Sequence, residues 1–135
     1  MRALYLLSFL LVVLTALASR WYPDFNEGVR VAKDSGKLVL VYFYEDGCSY
    51  CKYMEEAVFI EPEVSELMEN RYVVVPINVD EIPPTLDKRF RAIGTPTFMI
   101  YDPTTDKILL QIFGVHEADE FASLLSKACK KVKRC

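Results

Sequence analysis

The feature that most constrains the fold is an uninterrupted apolar run at Leu38–Tyr44, which reads Leu-Val-Leu-Val-Tyr-Phe-Tyr. Apolar and polar residues do not alternate in it, so it predicts a strand buried on both faces, as in a parallel sheet with helices on each side. Glu45-Asp46-Gly47 ends the run, and a helical pattern begins at Cys48, with Cys51 and Met54 at helical spacing. The sequence therefore predicts a central buried strand that passes through a short break into a helix.

Helical and strand patterns alternate along the rest of the chain. Four further segments have the spacing or end residues of helices: 24–35, 62–69, 85–91 and 117–131. Three further segments are predicted as strands: 72–79, 97–101 and Lys107–Phe113. Pro76 has no N–H to donate to a neighbouring strand, so the strand 72–79 should lie at a sheet edge. This order predicts an α/β fold with a βαβαββα core, in which helices cover both faces of one mixed sheet.

The first 18 residues have a different composition from the rest. A basic start at Met1 and Arg2 precedes an uncharged, largely apolar stretch at 4–17, and small residues stand at positions 16 and 18. This is the pattern of a signal peptide at 1–18, whereas a membrane helix needs about 20 apolar residues and Arg20 interrupts the run. We therefore expect export to the periplasm or another extracytoplasmic or secretory compartment, with no stable membrane span after removal of the signal.

Length and charge limit the remaining possibilities. The 135 residues suit one compact domain, expected at 19–135 with a short basic C-terminal tail. Hydrophobic residues make up 52% of the chain, enough for a substantial core. The formal net charge of -3 gives no electrostatic reason to bind nucleic acid. We expect a monomer with no nucleic-acid partner.

The segment Cys48-Ser49-Tyr50-Cys51 stands where the buried strand gives way to the helix. Residues three apart on a helical turn lie about 5–6 Å from each other, which is the separation that a disulfide requires. Cys48 should fall at the helix start, where free N–H groups stabilise the thiolate that attacks disulfides. Cys51, one turn further, would then be the resolving thiol. Export makes this chemistry available, because cytosolic thiols are kept reduced.

A C-x-x-C segment also occurs in zinc sites, haem attachment sites and structural bridges. Zinc would need two further ligands, and the only histidine, His116, lies far downstream. A c-type haem would need a histidine directly after the second cysteine, where this chain has Lys52. The context favours a redox pair with no metal or organic cofactor. Two alternatives stay open: a binding or chaperone-like module with an inert structural disulfide, and a metal carrier that uses the pair.

From about residue 24 to 131 the chain resembles the thioredoxin superfamily, in its branch of small exported thioredoxin-like proteins. Three features carry the resemblance: Gly-Cys-Ser-Tyr-Cys-Lys at 47–52, Gly-Thr-Pro-Thr-Phe at 94–98, and Gly114 after the last strand. The resemblance implies the thioredoxin fold and disulfide exchange with protein thiols and disulfides. It also implies an unidentified partner that recycles the pair, and it favours a reductase over an oxidase or isomerase.

The same resemblance implies roles for individual residues. Pro96 would be a cis-proline facing the cysteine pair, and Thr95 would offer backbone groups to an extended substrate strand. Tyr50 and Gly114 would complete the substrate-binding site, and Tyr50 is similar to the intervening tyrosine of glutaredoxins and periplasmic disulfide isomerases.

Two departures from thioredoxins proper concern the redox potential and the proton path. Gly47 stands where thioredoxins have a tryptophan, and Tyr42 stands where they carry a buried acid, six residues before the first cysteine. Glu45 lies closer to the pair in sequence, and water is a further route for the proton.

Cys129 and Cys135 form a second pair of cysteines at the end of the last predicted helix and in the tail. They could be a second redox pair or an attachment point for a partner. No strand–helix junction surrounds them, so the pattern favours a bridge that closes a short terminal loop. The basic run at 130–134 is interpreted as a solvated tail, with attraction to an anionic surface as the alternative.

Overall fold

A computed structural model describes residues 20–135, so the predicted signal peptide at 1–18 lies outside the described residues. The helices are α1 (Phe25–Ser35), α2 (Ser49–Tyr53), α3 (Pro62–Arg71) and α4 (Ala118–Lys131). The strands are β1 (Leu38–Tyr44), β2 (Tyr72–Asn78), β3 (Thr97–Asp102) and β4 (Lys107–Phe113). Helix α2 continues directly into a π-helical turn at Met54–Val58, and a short 3-10 turn at Val79–Glu81 follows β2. Within 20–135, no helix has the length and apolar character needed to cross a membrane.

The four strands form one mixed sheet in the order β2-β1-β3-β4. Strand β1 runs parallel to β2 and antiparallel to β3, and β3 forms an antiparallel hairpin with β4. The edge position predicted for the strand that contains Pro76 is confirmed, because β2 lies at one edge of this sheet. Helices cover both faces, so the predicted α/β class and mixed sheet are confirmed.

The sheet separates two hydrophobic cores. On one face, Tyr42, Phe98 and the α4 residue Phe121 belong to a cluster that also contains Cys51. On the other face, Phe43 and Met99 pack with Ala32 of α1 and with Phe90. Strand β1 supplies alternate residues to both cores, and all of its residues except Tyr44 are buried. This double burial explains why the apolar run in β1 does not alternate.

The helix predicted at 85–91 is wrong, because this segment consists of turns. The Asp87 carboxylate accepts a hydrogen bond from the backbone N–H of Arg89 at 2.9 Å. The Phe90 N–H donates to the Asp87 carbonyl at 3.0 Å. The first bond joins a side chain to the backbone and competes with the helical pattern, and the second closes a backbone turn. Leu86 and Phe90 are buried, so the apolar spacing that suggests a helix instead anchors a loop.

The C-terminal tail folds back onto the end of β3. A disulfide joins Cys129 and Cys135, whose Cα atoms lie 5.1 Å apart, and Cys129 is fully buried. Arg134 Nη1 donates to Asp102 Oδ1 at 2.7 Å. Asp102 is 1% exposed and also accepts bonds from the Thr104 N–H at 3.0 Å and the Thr105 hydroxyl at 2.9 Å. The basic tail is thus tied to the fold by a cross-link and by a buried carboxylate.

We expect Asp102→Asn to lower the free energy of unfolding at pH 7 by about 2 kcal/mol, the usual range for lost bonds to a charged group. Burial favours the neutral acid, but the bonds from Thr105 and Thr104 and the charge of Arg134 outweigh it and hold the pKa of Asp102 below its usual value. The stabilisation is therefore complete above the unfolded-state pKa of about 3.9 and is lost as the pH falls through the lower folded-state pKa. Urea denaturation between pH 7 and pH 3 measures this difference.

Glu56→Gln is the control for this prediction, because the exposed Glu56 carboxylate lies 4.0 Å from Lys52 Nζ. Its effect should stay below about 0.5 kcal/mol. If the Asp102→Asn deficit were as large at pH 3 as at pH 7, an ionised carboxylate could not be its origin.

Candidate redox site

The turn after β1 brings Cys48 to the N-terminal end of helix α2. Gly47 has φ +76°, a left-handed conformation that glycine adopts without steric cost. Cys48 then has extended dihedral angles (φ -77°, ψ 105°) and is the N-cap residue of α2. Its carbonyl accepts a bond from the Lys52 N–H at 3.1 Å, and its Sγ accepts one from the Cys51 N–H at 3.1 Å. Cys48 therefore lies where the helix still has free backbone donors.

Cys48 and Cys51 are joined in a disulfide, with their Cα atoms 5.3 Å apart. Cys48 is half-buried, whereas Cys51 is 3% exposed and belongs to the core cluster of Phe98 and Phe121. Cys48 is thus the more accessible of the two cysteines to a thiol or disulfide of another molecule. This asymmetry suits a pair in which the first sulfur exchanges and the second resolves.

The loop before β3 lies opposite the pair. The Thr95–Pro96 peptide bond is cis, and Thr95 Oγ1 lies 3.4 Å from Cys48 Sγ. The Pro96 carbonyl accepts a bond from the Gly114 N–H at 2.9 Å. Tyr50, between the two cysteines, is 66% exposed. The structure thus brings Thr95 against the outer cysteine and Pro96 next to Gly114, and it leaves Tyr50 on the surface.

An acidic groove lies beside the cysteine pair. Its lining includes both cysteines, one cation and four carboxylates: Lys52, Glu45, Asp46, Glu55 and Glu56. The Thr95 hydroxyl donates to Glu45 Oε1 at 2.7 Å. Of these carboxylates, Glu45 was expected near the pair from the sequence, and Glu55 was not. The signal that could have found Glu55 is its spacing of four residues from Cys51, which places both on one helix face.

Tyr42 replaces the buried acid of thioredoxins proper, and its hydroxyl donates to Glu55 Oε1 at 3.2 Å. Burial, reinforced by the nearby Glu55 charge, raises the pKa of Tyr42 far above its usual value. Tyr42 therefore stays protonated and acts as a hydrogen-bond donor, not as a base. It holds the Glu55 carboxylate at the groove, so carboxylates are still present near the pair although position 42 has none.

The histidine and the possible metal ligands were further candidates for a functional site in the sequence. His116 Nδ1 lies 3.1 Å from Glu120 Oε1, and its Nε2 lies 3.1 Å from the Phe113 carbonyl oxygen. Within residues 20–135, no group of three or more His, Cys, Asp or Glu side chains is arranged to hold a metal ion.

The fold and the site together define a class. A mixed sheet with the order β2-β1-β3-β4, a cysteine pair at the start of the helix after β1 and a proline in the loop before β3 are the features of thioredoxin-fold proteins. A family model of the thioredoxin-like domain matches residues 25–129. The chain belongs to this thioredoxin-like family, as its sequence motifs suggested.

Individual relatives agree with this membership. A thioredoxin from Thermus thermophilus is 36% identical, with a TM-score of 0.74 over 84% of this chain and 89% of that one. The oxidised C-terminal domain of Neisseria meningitidis DsbD, at 23% identity, shares the fold with a TM-score of 0.65 over 81% of this chain and 99% of that one. The thiol:disulfide interchange protein DsbD of Ralstonia nicotianae is 28% identical over 110 residues, which make up 78% of this chain and 18% of that protein.

The chain spans less than a fifth of the length of the curated relatives that it matches. The family, the fold and the Cys48–Cys51 pair nevertheless agree on one class of chemistry. They support a thiol–disulfide oxidoreductase.

Proposed function

We propose that this chain is an exported reductase that exchanges disulfides with protein partners through Cys48 and Cys51. The observation that carries the proposal is the asymmetry of the pair. Cys48 is half-buried and its sulfur accepts a backbone N–H bond at 3.1 Å, whereas Cys51 is 3% exposed. A hydrogen bond to sulfur favours the thiolate over the thiol, and the thiolate is the attacking species in disulfide exchange.

The proposed reaction begins from the reduced pair. The Cys48 thiolate attacks one sulfur of the partner's disulfide, and the other partner sulfur leaves as a thiolate that takes up a proton. Cys51 then loses its proton and attacks the Cys48 sulfur. The second partner thiol is released and the Cys48–Cys51 disulfide forms. Two electrons pass to the partner, so a dithiol-containing recycling protein must reduce the pair again.

The surface beside the pair offers a place for the partner's chain. We infer that an extended segment binds alongside Thr95 and Pro96, next to the exposed ring of Tyr50. Gly114 supports this because its φ of +83° suits glycine and the space around its missing Cβ is open to 4 Å. A side chain at this position would be strained by the positive φ.

Different observations support export and the direction of electron transfer. The uncharged apolar stretch at 4–17 supports export, and the DsbD relatives, named as thiol:disulfide interchange proteins, are compatible with the periplasm. The 36% identity to a thioredoxin favours a reductase.

Two assays test the proposal. We expect the protein to accelerate the reduction of insulin by dithiothreitol, and its pair to titrate near the thioredoxin potential of about -270 mV. A potential near -120 mV would instead identify an oxidase. The titration uses the Cys129→Ser/Cys135→Ser variant, so that a single pair responds. No acceleration of insulin reduction would leave the pair as an inert structural bridge.

A further inference from the structure

A short chain of hydrogen-bonding groups ends on the sulfur of Cys48. Thr95 Oγ1 lies 2.7 Å from Glu45 Oε1 and 3.4 Å from Cys48 Sγ. The three residues come from the turn after β1, the start of α2 and the loop before β3. We propose that Glu45 is a positioning residue that raises the pKa of the Cys48 thiol by orienting the Thr95 hydroxyl.

The Thr95 hydroxyl has a single hydrogen, which can point to only one acceptor at a time. An ionised carboxylate at 2.7 Å is a stronger acceptor than a sulfur at 3.4 Å. The hydrogen therefore points to Glu45, and the lone pairs of the hydroxyl oxygen face Cys48. The hydroxyl oxygen can accept a hydrogen bond from the Cys48 thiol, but in this orientation the hydroxyl donates no hydrogen bond to the thiolate. The arrangement thus favours the protonated form of Cys48.

A second contact acts in the opposite direction. The Cys51 N–H donates to Cys48 Sγ at 3.1 Å, and this donor is fixed by the helix. It stabilises the thiolate whatever the state of Glu45. The acidity of Cys48 is therefore set by two opposed contacts, one with a fixed donor and one controlled by Glu45.

The other charged groups around the sulfur do not share this geometry. Asp46, Glu55, Glu56 and Lys52 also line the groove, together with the titratable Tyr44 and Cys51. On the opposite side, the loop before β3 contributes the uncharged Thr95. Among the described residues, Glu45 is the carboxylate bonded to a group that contacts Cys48 Sγ. Its influence should therefore exceed that of a neighbouring carboxylate that acts through charge alone.

The test measures the acidity of Cys48 in the reduced full chain. The rate of Cys48 alkylation by iodoacetamide is followed from pH 4 to pH 10, and mass spectrometry separates Cys48 from Cys51. We expect Glu45→Gln to lower the pKa of the Cys48 thiol by about one unit, the scale of a lost close interaction with a charged group. This shift corresponds to about tenfold more thiolate at a pH below both pKa values.

Matched variants separate orientation from charge. Asp46→Asn removes a neighbouring carboxylate of the same groove and should shift the pKa by less than about a third of a unit, as expected for a solvent-screened charge. In the Thr95→Val background, the Glu45→Gln shift should fall to less than half of its full size. Thr95→Ser keeps the hydroxyl and should keep the full shift. Urea denaturation confirms that each variant is folded.

Three outcomes would overturn the proposal: no shift in Glu45→Gln, an equal shift in Asp46→Asn, or a Glu45→Gln shift that is unchanged without the Thr95 hydroxyl. The relevance of the Cys48 pKa to catalysis rests on the proposed function, but separate experiments test the role of Glu45 and the reductase activity. Thiol acidity is read without a substrate, whereas insulin reduction by the wild-type protein tests the function. An inactive wild-type protein whose variants show the expected pKa shifts would contradict the proposed function but not the role of Glu45.

Discussion

Replacing Cys48 with serine should reduce insulin reduction to the uncatalysed background rate, a loss on the order of 10³-fold or more, as for other removed nucleophiles. A serine hydroxyl cannot form the mixed disulfide through which the exchange passes. Cys51 cannot take over, because it is 3% exposed and packs in the core beneath the site. The measurement is the rate of insulin precipitation with dithiothreitol as the electron donor.

The control is the double variant Cys129→Ser/Cys135→Ser. These residues form the cross-link of the C-terminal tail and lie outside the groove around Cys48, so the activity should stay within about twofold of the wild type, the scatter expected when no reacting group is lost. Full activity in Cys48→Ser would contradict the proposed function. Equal loss in both variants would show that any missing disulfide, and not the attacking sulfur, impairs the protein.

The parts of the fold that follow from local patterns were predicted well. Strand β1 was recognised because a strand buried on both faces leaves a non-alternating apolar run, and the β3–β4 hairpin because a turn separates two apolar segments. The helix predicted at 85–91 is wrong for a local reason, the bonds to Asp87, and for a non-local one. Leu86 and Phe90 have helical spacing, but Arg89 bonds to Asp106 in the β3–β4 turn at 2.6 Å. The sequence offers no sign of that contact.

In the site, too, the features that depend on local sequence could be predicted, and those that depend on long-range contacts could not. The spacing of Cys48 and Cys51 and the helix after β1 are local, so the residues alone predicted the pair and its position. The expectation that Thr95 and Pro96 face the pair came from family resemblance, because it requires knowing how the strands pair, and the structure places Thr95 Oγ1 3.4 Å from Cys48 Sγ. The contact of Glu45 with Thr95 joins residues 50 positions apart, and it could not be predicted from either segment alone.

Phe98→Ala should lower the free energy of unfolding by about 3–5 kcal/mol, the usual cost of emptying a large aromatic site in a core. Phe98 is fully buried on β3, and its ring stacks on Tyr42 with centroids 5.1 Å apart. It also lies edge-on to Phe121 at 4.9 Å. The neighbouring side chains are fixed by the helices and strands that carry them, so they can fill the cavity left by the Phe98 ring only in part. Urea denaturation at pH 7 measures the loss.

The same substitution at Phe113 provides the control, because this β4 residue is 61% exposed. Its cost should stay below about 1 kcal/mol, since little apolar surface returns to water. Similar losses at both positions would mean that the aromatic cluster around Phe98 is not closely packed. A domain of this size has about 5–15 kcal/mol of stability in total. The Phe98 variant should therefore retain only a small free energy of unfolding. Tyr42 stacks on the Phe98 ring and bonds to Glu55. The substitution should therefore also make the position of the Glu55 carboxylate in the redox groove less fixed.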